Sequence, residues 1–139
     1  MSRVVAAARL WIGTPYRHQA SAKGAGCDCL GLVRGVWREV HGAEPAPVPP
    51  YTPDWGEPSG EERLWDMARL LLPPGRGRPG DLLLLRMREG AVAKHLGILS
   101  QAGPAPAFIH AMSRHGVLES PLSGPWAARV VATFDLEGS

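Results

Sequence analysis

Two cysteines, Cys27 and Cys29, stand one residue apart just before and at the start of an apolar, helix-like run. A disulfide across that spacing would be strained, and two thiols supply half of a zinc site at best. We therefore expect neither a disulfide nor a bound metal or cofactor. The two thiols need another explanation.

Cys29 is the better placed of the two to act as a nucleophile. Asp28 precedes it and can cap the helix, which puts Cys29 in the first helical turn. The N–H groups and the dipole of a helix start favour a thiolate, so we expect the pKa of Cys29 to lie below that of a free cysteine. The same N–H groups can hold an oxyanion. A buried small apolar residue is the structural alternative, and for Cys27, which lines a pocket in that interpretation, it is the favoured one.

A thiolate nucleophile needs a base, and the base needs a partner that orients it. His95 and His110 stand in two apolar runs that are typical of neighbouring strands. Strand alternation places His95 on one face of its strand with Gly97 and Leu99, and neighbouring strands can bring the two imidazoles together. A single strand histidine is more often a half-buried structural residue. Two on adjacent strands, together with Cys29, favour a base and its partner.

The elements that must position these residues fall into helices first and strands afterwards, which predicts an α+β fold with helices packed on an antiparallel sheet. The pattern is that of one domain over residues 1–139, and Gly31 and Gly35 leave a bare strip on the second helix for close packing. Apolar periodicity and Gly/Pro punctuation predict helices at 2–12, 28–41 and 61–72 and strands at 81–87, 94–100, 107–112, 116–120 and 127–134.

Composition excludes several classes of function. The net charge of +2 is too small, and the arginines too scattered, for a nucleic-acid partner. No run approaches the roughly 18 continuous apolar residues of a membrane span. The N-terminal residues lack the apolar core of a signal peptide because Arg9 interrupts it. We therefore expect a protein made in the cytoplasm, which acts there or leaves by another route.

Five blocks in order resemble the signature blocks of the NlpC/P60 cysteine peptidases, and they extend from residue 13 to residue 111. They are Gly13-Thr14-Pro15-Tyr16, Asp28-Cys29-Leu30-Gly31-Leu32-Val33, Pro79-Gly80-Asp81-Leu82-Leu83, His95-Leu96-Gly97-Ile98 and Ile109-His110-Ala111. The motif Cys-Asp-Cys-Leu-Gly-Leu-Val, followed by Val36-Trp37-Arg38-Glu39, is most similar to the sequences of the family branch found in tailed phages and gene-transfer particles.

The resemblance implies a papain-like fold and hydrolysis of amide bonds in peptidoglycan stem peptides. It maps the nucleophile onto Cys29, the base onto His95 and the orienting residue onto His110. The family's tyrosine beside the nucleophile falls on Tyr16. Asp28 is the family's acidic residue, with a role either in capping or in contact with a substrate amine. Asp81 is expected to hydrogen-bond within a turn.

The resemblance also implies action at the cell wall or periplasm, delivered by a phage-like tail whose proteins would be the partners. The alternative is a structural tail or hub component with a covered or vestigial site. In that case the docking surface would include Trp55, Trp126 and the proline-rich segment 43–60, although core packing is favoured for each tryptophan. An acyltransferase on the same fold is a third possibility.

Overall fold

A layer of helices covers one face of an antiparallel sheet in the computed structural model, which describes residues 2–55 and 57–138. The helices are α1 (Arg3–Arg9), α2 (Cys29–His41), α3 (Arg63–Leu71) and α4 (Pro125–Arg129), with a 3-10 turn at Glu57–Ser59. The strands are β1 (Ser21–Ala22), β2 (Gly26–Cys27), β3 (Asp81–Arg86), β4 (Ala93–Gln101), β5 (Ala107–Met112), β6 (Gly116–Pro121) and β7 (Val130–Asp135). The five long strands are ordered β6-β5-β4-β3-β7, all antiparallel. The predicted α+β fold is confirmed.

Helix α2 lies against the sheet and carries the candidate nucleophile at its first position. Its start is capped by the Asp28 carboxylate, and it ends at Gly42, whose φ of 89° suits glycine. A Cβ on Gly31 would lie 1.8 Å from the carbonyl oxygen of Ala20, and one on Gly35 would lie 2.0 Å from the Trp11 ring. The predicted bare strip on this helix is therefore confirmed, and it is what lets the neighbouring loop and α1 approach.

Both faces of the sheet are buried. Successive side chains of β3 point to opposite faces, so its run of leucines contributes to the core on each side. Leu84, Leu96 and Ile109 belong to the main core with α1 and α2. Leu83, Leu85 and Phe108 form a second cluster on the opposite face, where Trp126 of α4 packs against them.

One irregularity interrupts the pairing of β3 with β4. Leu85 pairs with His95 and the next residue, Arg86, pairs with Ala93, so Lys94 is an extra residue in β4. Such a bulge bends the strand and redirects its side chains, and bulges are frequent beside active sites.

The predicted strand at 127–134 is wrong at its start, because α4 extends to Arg129 and β7 begins at Val130. Gly124 and Pro125 explain this: proline has the φ of a first helical residue and lacks the N–H that a strand would use. The short hairpin of β1 and β2 lies in a segment predicted to be a loop. Among the described residues, none of the helices has the length and apolar character needed to cross a membrane.

Candidate active site

Cys29 is the first residue of α2, and its side chain is nearly buried, with 8% of the residue exposed. The helix start is fixed by Asp28, whose Oδ1 accepts a 2.7 Å hydrogen bond from the Gly31 N–H. The Sγ atom of Cys29 lies 3.8 Å from the carbonyl oxygen of Lys94, the bulged residue that precedes His95. The nucleophile helix and strand β4 therefore meet at this point.

Cys27 belongs to the core and not to the cleft around Cys29. It is fully buried in β2, and its backbone N–H donates to the Pro15 carbonyl at 3.0 Å. Its side chain packs in the main core, in keeping with the structural role favoured for it, and Cys27 is not among the residues that line the cleft.

The two strand histidines form a continuous hydrogen-bonded chain. Nε2 of His95 lies 2.8 Å from Nδ1 of His110, and Nε2 of His110 lies 2.8 Å from the hydroxyl oxygen of Ser120. His110 faces Gly97 in the register of β4 with β5, and a Cβ on Gly97 would come within 2.6 Å of the Phe108 ring. The glycine thus leaves the room in which the two imidazoles and Phe108 pack.

Aromatic rings enclose the histidine chain. The Phe108 ring stacks on His110 with centroids 4.0 Å apart, and Trp126 lies 5.6 Å from His95 and 5.1 Å from His110. His95 is 6% exposed and His110 is fully buried. Trp126 therefore packs inward against the site, as the favoured core interpretation predicted.

Burial sets the protonation of both Cys29 and His95. It raises the pKa of the Cys29 thiol to about 12; the Asp28 charge adds to this, and the N–H groups of Leu96, Leu30 and Cys29 itself lower it by less. Burial, helped by His110, lowers the pKa of His95 to about 3. The expected lowering of the Cys29 pKa is therefore wrong for this structure, in which desolvation outweighs the helix start. The thiol of Cys29 and the imidazole of His95 are therefore both neutral where they line the cleft.

Burial also lowers the pKa of His110, to about 4. A neutral His110 keeps one N–H and one lone pair, so it can bond to His95 on one side and Ser120 on the other. This arrangement fixes the ring of His95.

Asp28 is 2% exposed, and both of its oxygens have partners. Oδ1 caps α2, whereas Oδ2 accepts a 2.7 Å hydrogen bond from the Gln19 N–H and another from the Tyr51 hydroxyl. His18 Nδ1 lies 3.7 Å from the same oxygen. Of the two roles left open for Asp28, the capping role is the one that its contacts support.

Tyr51 is a site residue that the sequence did not reveal. It lies in the proline-rich strap, which we define as residues 43–60, and stacks on Trp55 with centroids 4.4 Å apart and planes 13° apart. Its carbonyl oxygen accepts a 2.5 Å hydrogen bond from the Gln19 side chain and lies 3.1 Å from His18 Nε2. The sequence feature that could have indicated this role is the presence of Tyr51 and Trp55 among the prolines of the strap. Trp55 is buried in this stack, so it too packs inward.

A cleft of about 320 Å³ opens beside the thiol. Cys29, His95 and Tyr16 all line it, and burial, together with the nearby Cys29 and Asp28, raises the pKa of the half-buried Tyr16 to about 12. The other residues of its lining are His18, Asp28, Tyr51, Pro53, Trp55, Met87, Lys94, Ala111, Met112 and Ser113. The cleft thus gathers the predicted nucleophile, base, tyrosine and aspartate, with His110 directly behind the base.

Asp81 does not take part in this cleft. Its Oδ2 accepts hydrogen bonds from the backbone N–H groups of Arg76 at 2.9 Å and Gly77 at 2.7 Å. The predicted turn role is confirmed. Across residues 2–55 and 57–138, no three His, Cys, Asp or Glu side chains are grouped as metal ligands are.

Comparison with known proteins identifies relatives of this chain. The sequence profile described as the NlpC/P60 family matches residues 13–134. No match was found among curated protein sequences.

Solved structures share the fold. The NlpC/p60 domain of the peptidoglycan hydrolase SagA is 23% identical, with a TM-score of 0.60 over 96% of each chain. An NlpC/P60 family protein from Bacillus cereus is 16% identical, with a TM-score of 0.65 over 98% of this chain. A protein from Staphylococcus aureus described as similar to lipoprotein, NLP/P60 family, is 17% identical, with a TM-score of 0.59 over 98% of this chain. The present chain spans 40% of the B. cereus chain and 41% of the S. aureus chain.

Proposed function

Because the chain belongs to the NlpC/P60 family, we propose that it is a thiol hydrolase that cuts an amide bond in the stem peptides of peptidoglycan. The observation that carries the proposal is the cleft in which Cys29, at a capped helix start, and His95, backed by His110 and Ser120, line one space. The substrate class rests on the family and on the name of the SagA relative, which is a peptidoglycan hydrolase.

In the proposed reaction His95 acts as a general base during attack, because both partners start neutral. His95 uses Nε2 to bond His110, so Nδ1 is the nitrogen that takes the proton of Cys29. The sulfur then attacks the carbonyl carbon, and N–H groups at the start of α2 hold the oxyanion. His95 returns the proton to the leaving amine, and water hydrolyses the thioester.

Tyr16 and Asp28 have supporting roles in this proposal. Tyr16, whose backbone pairs with that of Cys27 in an isolated β-bridge, uses its hydroxyl to contact the substrate or the sulfur. Asp28 fixes the helix start and Tyr51, and the face of its carboxylate on the cleft presents negative charge to a substrate amine. The capping role is supported directly by contacts, and the amine contact follows from the family resemblance.

We further propose that a phage-like tail delivers the enzyme to the cell wall. This proposal about delivery rests on the similarity of the Cys27–Val33 motif to the family branch found in tailed phages. Co-purification with particles, and labelling of Cys29 before and after assembly, test it. Loss of labelling on assembly, with no digestion by free protein, would instead support the structural hub with a covered site. Trp55 is buried against Tyr51 and the half-buried Trp126 packs against His110, so neither contact favours that alternative.

Digestion of purified peptidoglycan, followed by mass analysis of the fragments, tests the function itself. We expect new free amine and carboxyl ends at one peptide bond. The absence of fragments from reduced, folded protein would overturn the proposal. Transfer of the acyl group to an added amine in preference to water would assign the site to an acyltransferase instead.

A further inference from the structure

The bulge in β4 brings a cation to the cleft. A regular strand directs consecutive residues to opposite faces, yet Lys94 and His95 both line the cleft. Lys94 is the unpaired residue of the bulge, and its own carbonyl oxygen faces the sulfur of Cys29 at 3.8 Å. The ammonium group of Lys94 is thus tethered to the same backbone position that contacts the nucleophile.

The charge of Lys94 is only partly balanced. Its Nζ lies 3.4 Å from Oε2 of Glu57 in the 3-10 turn, and this oxygen is buried without a hydrogen bond to any described residue. Arg88 donates to Oε1 of the same carboxylate at 3.2 Å. Two cations therefore share one anion, and the group carries a surplus of one positive charge.

Of the two cations that share Glu57, Lys94 is the one whose residue lines the cleft. Arg88, whose side chain is 71% exposed, does not line the cleft, whereas Lys94, whose side chain is 25% exposed, is one of its lining residues. Lys94 is the only lysine or arginine among the described lining residues. The other charged lining group, the Asp28 carboxylate, offsets part of this positive charge, but it is 2% exposed and its oxygens accept hydrogen bonds from Gly31, Gln19 and Tyr51.

We infer that Lys94 is a specificity-determining residue that binds a carboxylate group of the substrate beside the scissile amide. The inference rests on the proposed function for its substrate, but its electrostatic basis does not. On binding, the substrate carboxylate joins Glu57 at the ammonium group and takes up the unbalanced charge. The enzyme would thereby favour acidic peptides over their amidated counterparts.

Alkylation of Cys29 measures this charge without requiring hydrolysis. The probes are iodoacetate, which carries a carboxylate, and iodoacetamide, which is neutral and of similar size. The rate ratio of the two reagents cancels any change in thiol reactivity, and cleavage before Asp28 followed by peptide mass analysis separates Cys29 from the core thiol Cys27. In Lys94→Gln we expect the iodoacetate/iodoacetamide ratio to fall about fivefold, the effect of unit charges about 4 Å apart in water.

Two further variants separate substrate binding from a merely structural role. Glu57→Gln removes the competing anion, so the ratio should rise by a similar factor; if Lys94 only anchors the 3-10 turn, this variant should behave like Lys94→Gln. Arg88→Gln breaks the other half of the same ion pair outside the cleft and should leave the ratio within about twofold of the wild type. Circular dichroism confirms that each variant is folded.

Hydrolysis gives the second measurement. Two soluble peptides that differ only in a free carboxylate or an amide next to the scissile bond should differ in kcat/KM, and Lys94→Gln should abolish the preference mainly through KM. An unchanged alkylation ratio in Lys94→Gln overturns the inference even if the wild type digests peptidoglycan. A changed ratio in a protein that digests nothing overturns the proposed function and leaves the anion site standing.

Discussion

The buried pair of imidazoles makes the fold sensitive to acid above the range in which carboxylates titrate. His95 and His110 have pKa values of about 3 and about 4 in the folded protein, against about 6.5 in an unfolded chain. Below pH 6.5 the unfolded chain takes up two protons that the folded protein does not bind. Stability therefore falls as the pH falls, and the window lies between the unfolded value and the folded values.

The size of the effect follows from these values. Between pH 7 and pH 5 each imidazole that stays neutral in the folded state costs about 2 kcal/mol of unfolding free energy, so the pair costs about 4 kcal/mol. Urea unfolding at a series of pH values measures this loss. His110→Gln leaves one buried imidazole and should reduce the pH-dependent loss to about 2 kcal/mol, whatever its effect at pH 7.

The matched control is His115→Gln, because His115 is exposed in a turn. This variant should keep the full loss of the wild type. A wild-type unfolding free energy that is level between pH 7 and pH 5, or a loss that His110→Gln does not reduce, would refute the assignment of two buried neutral imidazoles.

Three other predictions concern catalysis and packing. A neutral thiol and a neutral imidazole predict that kcat/KM is level from pH 5 to pH 9, since the pKa values of Cys29 and His95 lie outside that interval; a bell-shaped profile within it would indicate a preformed ion pair. Tyr51→Phe removes the hydroxyl that bonds Asp28, so we expect a loss of about 1 kcal/mol in unfolding free energy and a several-fold loss of kcat. Thr52→Ala, which breaks an exposed bond in the same strap, should change neither quantity, and equal effects would contradict the role of Tyr51. Gly97→Ala forces a methyl group against the Phe108 ring and should cost about 1–3 kcal/mol with loss of activity. Gly26→Ala places its methyl group 2.9 Å from the Cβ of Arg17, a smaller overlap than the 2.6 Å approach to the Phe108 ring, and should cost less; thermal denaturation of both variants tests the difference.

Most of the fold followed from local patterns, because each local signal agreed with the packing. Helix α2 runs from Cys29 to His41, as Asp28 and Gly42 predict, and β5 occupies 107–112 as predicted. Helix α4 was missed because five residues provide too little periodicity, and the alternating apolar residues around it suit a strand equally well.

The site was predictable in its main residues and not in its electrostatics. A capped helix start and two strand histidines are local signals, and the structure places Cys29, His95 and Tyr16 in one cleft with His110 behind. The pKa of Cys29 depends on burial by distant segments, which a local pattern does not report. Tyr51 bonds Asp28, which lies 23 residues away along the chain, and Ser120 bonds His110, which lies 10 residues away. No sequence motif marks either residue as part of the site.

Digestion of peptidoglycan by matched cysteine variants tests the central claim most directly. Cys29→Ala removes the sulfur at the start of α2, and Cys27→Ala removes a core sulfur two residues away. We expect folded Cys29→Ala to release no fragments and Cys27→Ala to release the same fragments as the wild type. Fragment release by Cys29→Ala together with its loss in folded Cys27→Ala would contradict the assignment of the nucleophile.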